Sequence, residues 1–479
     1  MSEARLMNRI QRWWRGLRPE YRREIYYLFL ALAIFFVILL YPNPEGLSVS
    51  GQRALAVLAF VTILWVTETF TLGLTALIGV VLLPLLGVLD LQESFIGFGS
   101  TALFFLAGAL TFSTAMMKTG LHKRVALKII RKFGRSPSTL IFGVCVLGAF
   151  MSMIMPEHAV AAMMLPVLMG ILGVSEKGER DNFAIATFLA LTYATSVGSI
   201  GSLLGGARNV LALGILQMTL GVSVSFLDWM IAGVPIAVTL TIVVYLLLRT
   251  VYPWGKVNMT KLKQHLGREV SSMGGISWEE KKAGGIFIFC LALWLTVGTA
   301  VGLSIVAIGG MILLVTTRTI TWRDIEQDMP WGLLFLYGGA LTLSYALTES
   351  EAVKYLAINL TEFVGQHPFM VLLALLAMTI ILSNAMSNSA ATAVILPIAI
   401  PTIMSLNSGF SGLLPTYLIA MGSAMAFMLP IATPSAAIAY SSGYIGIKDM
   451  IKAGALLNIL SICVFMTIGL GWWKLLGIW

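Results

Sequence analysis

The sequence predicts an all-α polytopic membrane protein built from two inverted-topology repeats with interrupted helices. Three observations predict it: an apolar excess that only a bilayer accommodates, an internal repeat held in one register, and opposite charge on the two copies of one segment.

The chain has 479 residues, 58% of them hydrophobic and 11% charged. Soluble chains carry about 25% charged residues, so most side chains here must face lipid or one another. Crossing about 30 Å of hydrocarbon takes roughly 20 apolar residues as a helix, and such runs recur from Ile25 onward. Several are short and break at Pro, Gly or Asn. Irregular backbone at membrane depth is stable only where it lines a protein-enclosed or watery cavity. No polar stretch is long enough to fold as a separate domain. Cys145, Cys290 and Cys463 lie in apolar segments without the Cys/His spacing of a zinc or redox site.

The net charge of +9 does not describe a nucleic-acid binder, because the basic residues form three blocks beside apolar runs, the pattern that sets topology. Residues 1–24, with Arg5, Arg9, Arg12, Arg15, Arg18, Arg22 and Arg23, read as a basic cytoplasmic N-terminus. The run Ile25–Tyr41 leads into Tyr41-Pro42-Asn43-Pro44-Glu45 rather than a small-residue cleavage site, so it is expected to stay as a helix. The expected location is the inner membrane, multi-pass.

Thr101–Ala126 aligns with Gly332–Ala357, and Met151–Met169 with Leu382–Ile400, both at an offset of 231 (339 − 108 for the paired glycines, 383 − 152 for the paired serines). One register across two separate segments indicates duplication. Lys118–Arg135 carries Lys118, Lys123, Arg124, Lys128, Arg131, Lys132 and Arg135 and no acid, whereas its partner Glu349–Gln366 carries Glu349, Glu351 and Glu362 against Lys354. By the positive-inside rule the two copies lie on opposite sides of the membrane, as inverted repeats require. The expected division is repeat 1 over 25–249, a basic cytoplasmic linker over 250–283 with Lys256, Lys261, Lys263, Arg268, Lys281 and Lys282, and repeat 2 over 284–479.

In chains of this kind, ligands bind near the midplane at interrupted helices. Four interruptions qualify: Met155-Pro156-Glu157-His158, the segment Gly198–Asn209, the segment Ser383–Ser389, and Pro430-Ile431-Ala432-Thr433-Pro434-Ser435. Hydroxyls, amides and helix N-termini suit an anion, and hard oxygens suit Na⁺. A polar helix–helix seam is the bland alternative for the run Ser383–Ser389.

From Trp65-Val66-Thr67-Glu68 to Lys448–Gly454 the chain resembles the divalent anion/sodium symporters, a family carrying dicarboxylates, tricarboxylates or sulfate. Ser387-Asn388-Ser389 stands where that family has a Ser-Asn-Thr hairpin tip, and Ala432-Thr433-Pro434 matches its Thr-Pro-Pro-Asn type loop. The resemblance implies a re-entrant hairpin and a broken transmembrane helix in each repeat, a scaffold and a mobile transport part, a homodimer and elevator-like movement. It implies a sodium site at Ser383, Met386, Asn388 and Ala432, and substrate hydrogen bonds from Ser387, Asn388, Ser389 and Thr433. A first sodium site would keep Ser152 and Gly205.

The first repeat departs from the family pattern. Pro156-Glu157-His158 replaces its Ser-Asn-Thr, and Gly205-Gly206-Ala207-Arg208-Asn209 replaces its proline-rich loop. Ionisable groups at membrane depth mark functional paths, so Glu157, His158, Arg208 and Asn209 join the substrate-site candidates. Three readings stay open. Arg208 attracts the anion while Glu157 takes up a proton in place of one sodium; or Glu157 stays ionised, ligates Na⁺ and pairs with Arg208; or the group is a structural cluster.

The expected function is secondary active transport of small divalent anions coupled to sodium, with H⁺ as the alternative coupling ion. A carrier of a sulfonate, tricarboxylate or monoanion, or an exchanger, is the runner-up. A channel is less favoured, because unequal broken halves in a duplicated chain suit alternating access. No HExxH, GxSxG or paired aspartate motif supports an enzyme.

Overall fold

The computed structural model describes residues 18–172, 181–255, 267–406 and 409–479. Arg5, Arg9, Arg12 and Arg15 of the basic N-terminus, and Lys256, Lys261 and Lys263 of the linker, lie outside the described residues. Among the described residues every regular element is helical. In chain order these are α1 (Pro19–Leu40), α2 (Val49–Thr67), α3 (Leu72–Leu85), α4 (Thr101–Thr119), α5 (Leu121–Phe133), α6 (Pro137–Ser152), α7 (Glu157–Leu172), α8 (Asn182–Gly198), α9 (Ala207–Leu220) and α10 (Phe226–Val251). They continue with α11 (Trp278–Thr296), α12 (Leu303–Thr316), α13 (Trp322–Asp328), α14 (Trp331–Glu349), α15 (Ala352–Val364), α16 (Pro368–Ala385), α17 (Asn388–Ser405), α18 (Leu413–Gly422), α19 (Pro434–Ser441) and α20 (Ile447–Val464, its helical path running on to Leu475).

Nine helices among the described residues are long and apolar enough to cross a membrane, so the chain is a multi-pass membrane protein. The span containing α8 is 100% buried and that of α1 only 11%. The first therefore forms the packed centre, and the second lies on the outside of the chain.

The duplication is visible helix by helix. Leu72 and Leu303, Leu121 and Ala352, Pro137 and Pro368, Glu157 and Asn388, and Asn182 and Leu413 each open a helix, and all five pairs keep the 231-residue offset. Packing is reciprocal: α3 lies on α14 while its copy α12 lies on α4, and α9 lies on α17 while its copy α19 lies on α7. Exchanged contacts of this form are the signature of a two-fold relation. Its seam explains two glycines. A Cβ on Gly108 would lie 2.6 Å from the Ala307 Cβ, and one on Gly339 would lie 2.7 Å from the Ala76 Cβ. Small residues let membrane helices approach this closely, and the two contacts are copies of each other.

Basic α5 and its counterpart α15, which carries Lys354 and Glu362 and follows Glu349 and Glu351, place the axis in the membrane plane, which makes the halves inverted. Arg124 of α5 is buried. Its Nε donates to Glu280 Oε1 at 2.7 Å, and its Nη atoms donate to the carbonyls of Met273, Gly274 and Gly275 at 2.9–3.1 Å. The linker thereby holds α5 against the start of α11.

Candidate functional site

α6, at 16 residues, is short for a full crossing, and its copy α16 has 18; each reverses after a brief non-helical turn into α7 or α17. In the second hairpin, Met386 is extended (φ −144°, ψ 175°), and α17 restarts at Asn388 with Ser387 as its N-cap. Ser387 makes no side-chain cap bond, so the first amides of an 18-residue helix have no side-chain partner there and its positive dipole end is open. The hairpin is pinned by Asn384, whose Oδ1 accepts from the Met428 amide at 2.9 Å. Thr392 Oγ1 donates to Ser423 Oγ at 3.0 Å. Beyond the broken segment after α18, Thr433 caps α19 by accepting from the Ala436 amide at 3.1 Å, and its hydroxyl lies 3.0 Å from Ser435 Oγ.

The first hairpin closes differently. After α6 the chain turns over 153–156, and Pro156, whose fixed φ suits the approach to a helix, accepts the Ala159 amide at 3.0 Å. α7 then opens on Glu157 itself. α8 ends in a 3₁₀ turn, Ser199–Gly201, and a non-helical stretch leads to α9. Asn209 Nδ2 donates to the Ser199 and Ser202 carbonyls, both at 2.8 Å, and Ser202 Oγ donates to the Met153 carbonyl. Gly205 is forced: a Cβ there would lie 2.6 Å from the Ser199 carbonyl oxygen and closer still to that of Ser152. Arg208 Nη2 donates to Ser199 Oγ, and its Nη1 lies 3.8 Å from Glu157 Oε2. Both side chains are buried, Arg208 at 3% and Glu157 at 6% exposure. They are close enough to compensate each other's charge, but no direct hydrogen bond joins them.

Both tips open onto one cavity of about 370 Å³. Of the residues expected from the sequence, Glu157, His158, Gly205, Arg208, Ser387, Asn388, Ser389, Ala432 and Thr433 line it. Ser152, Asn209, Ser383 and Met386 do not; they lie buried around the wall. Asn209 spends its amide on the loop that carries Arg208. The Ser152 and Ser383 hydroxyls, one register apart, are both buried without a hydrogen-bond partner, as are Glu157 Oε2, Arg208 Nε and Asn388 Oδ1.

Three residues enter that sequence reasoning did not place at the site. Ser199 holds the Arg208 guanidinium. Tyr337, in α14 and fully buried, has its hydroxyl near Ser389 and Arg208 and without a hydrogen bond. Glu68 lines the cavity, exposed and in the left-handed conformation at φ 49° that caps α2.

Residues 22–479 match the family model described as the sodium:sulfate symporter transmembrane region. An uncharacterized transporter of Haemophilus influenzae is 32% identical over 462 residues, which cover 93% of this chain and 96% of the relative. A sodium-dependent dicarboxylate transporter, SdcS, of Staphylococcus saprophyticus is 30% identical over 470 residues, covering 92% of this chain and 90% of the relative. Two solved structures share the fold at a TM-score of 0.57: MtrF of Neisseria gonorrhoeae, 14% identical and covering 94% of this chain and 95% of that one, and the YdaH transporter of Alcanivorax borkumensis, 16% identical and covering 96% and 99%. With nearly its whole length matched and two broken hairpins meeting at one cavity, the chain belongs to the sodium:sulfate symporter family of membrane transporters.

Proposed function

We propose that the protein is a secondary active carrier that moves small anions together with sodium. The observation that carries this reading is the pair of buried, unpartnered hydroxyls, Ser152 and Ser383, set at equivalent positions behind the two tips of one cavity. A hard cation takes oxygen ligands. Ser383 Oγ, Asn388 Oδ1 and the Met386 and Ala432 carbonyls would supply them at the second tip; Ser152 and Gly205 would contribute at the first. The open N-terminus of α17, with Ser387, Asn388, Ser389 and Thr433, would receive the acid group of the substrate. Dicarboxylates and sulfate, the substrates expected from the sequence, are the reference compounds. The hairpins and broken helices would form the transport part of an elevator, in a homodimer of the inner membrane with its N-terminus in the cytoplasm.

A second reading couples a proton at Glu157, favoured by the buried Oε2 atom that has no hydrogen-bond partner. Purified protein in liposomes, given sodium and proton gradients separately, tests both. Labelled-anion uptake that saturates and follows the sodium gradient supports the first reading; uptake driven by the proton gradient alone supports the second. Sodium-independent single-channel currents would overturn both.

A further inference from the structure

We infer that the cavity takes a small acid with a single acid group and a hydrogen-bond donor, an ammonium or hydroxyl, at its other end, because Glu157 itself occupies the place of a second acid group. The inference rests on the carrier reading above and names the class of substrate for that site.

The two tips are copies, and each opens a helix onto the same cavity, α17 at Asn388 and α7 at Glu157. At the second tip the receiving groups are neutral: an uncapped helix end, hydroxyls and an amide. An acid group docks there without meeting charge of its own sign. At the first tip the equivalent place, the first turn of α7, already holds an acidic side chain, and a second acid group beside it meets like-charge repulsion.

Arg208 offers no spare positive charge. Its guanidinium is 3% exposed, tied to Ser199 on one side and set 3.8 Å from Glu157 on the other. The remaining ionisable groups on the wall are Glu68 and His158. With Glu157 and Arg208 offsetting each other, Glu68 leaves the wall one negative charge in excess, so a substrate bringing two acid groups would press one of them against like charge, which interfaces use to reject wrong partners. Glu157 Oε2, set 3.8 Å from Arg208 but without a hydrogen bond, is left to accept one. A substrate donor satisfies it, and an ammonium also offsets Glu68.

The test uses the full chain in liposomes under an inward sodium gradient, with labelled 3-aminopropanoate, 3-hydroxypropanoate, succinate and sulfate at matched concentrations. The two compounds with one acid group and a donor are expected to half-saturate at least about tenfold lower than succinate and sulfate. In Glu157→Gln the ratio should move toward succinate by about tenfold. The double variant Glu157→Gln with Arg208→Gln removes both charges and reads the same shift where the single variant does not fold. Sodium-driven uptake that prefers succinate or sulfate in the unaltered protein overturns this inference and leaves the carrier reading standing, as does an unchanged ratio in the folded variants. Sodium-driven uptake of none of the four overturns the carrier reading and this inference with it.

Discussion

The second hairpin tip, Ser387-Asn388-Ser389, and the first, Pro156-Glu157-His158, hold equivalent places in the duplicated chain and face one cavity, yet they handle desolvation in opposite ways. The second is built from neutral dipoles and an open helix end, so it can be emptied and refilled without leaving a bare charge behind. The first buries an acidic and a basic side chain, Glu157 and Arg208, 3.8 Å apart. Arg208 is the second residue of α9, where α19 has Ser435, so the two charges stand one on each broken element of the first repeat, each where the second repeat has a neutral residue. A duplicated scaffold tolerates unlike halves when each is locally neutral. The half left uncharged is the one better suited to exchanging ligands.

The sharpest way to break this comparison is to unbalance the first tip. Arg208→Gln leaves the Glu157 carboxylate buried without a counter-charge, and breaking such a pair costs about 3–5 kcal/mol. A large fall in thermal stability is expected, with recovery when Glu157→Gln is added. Additive losses in the double variant, measured by thermal unfolding in detergent, would show that the two side chains do not compensate each other. At the second tip the expected effect is smaller in energy and falls on transport rather than on the fold. Asn388→Ala removes the amide that the proposed function assigns to both ion and anion. A hydrogen bond to a charged group contributes about 1.5–3 kcal/mol, so uptake should fall by roughly 10- to 100-fold while size-exclusion behaviour stays unchanged. Normal uptake by this variant would move the site away from the second tip.

The sequence made the repeat legible because the two-fold seam constrains both copies alike. Gly108 and Gly339 each abut an alanine from the other half, so neither could drift without separating helices. The helix breaks were legible for a related reason, since Pro156 and the run Ser383–Ser389 leave backbone groups that only a cavity or a partner segment satisfies. Side-chain direction was not legible. Asn209 follows Arg208, but one step along a helix turns a side chain by about 100°, which aims the amide at the Ser199–Ser202 turn instead of the cavity. Tyr337 stands in α14 opposite Leu106 of the other copy, inside an apolar run. Nothing in helical periodicity marks its hydroxyl as the one near Ser389 and Arg208.

The smallest expected effect sharpens the comparison most, because it asks whether the two tips still share one property. Ser152 and Ser383 are chemically identical, equally buried and equally without partners. Around Ser383 the nearby tip is neutral, so a cation there adds the only charge and the hydroxyl oxygen is free to ligate it. Around Ser152 the Gly205 backbone brings the Ser199 and Ser152 carbonyls together, but Arg208 is bound to Ser199, and its positive charge opposes a cation in the same place unless Glu157 offsets it. Losing one hydroxyl ligand is worth about 0.5–1.5 kcal/mol. Ser383→Ala should therefore raise the sodium concentration for half-maximal uptake by roughly 2- to 10-fold, and Ser152→Ala should raise it less. Equal shifts in the two variants would mean that Glu157 screens Arg208 well enough for both halves to bind sodium. No shift in either would remove sodium from behind the tips.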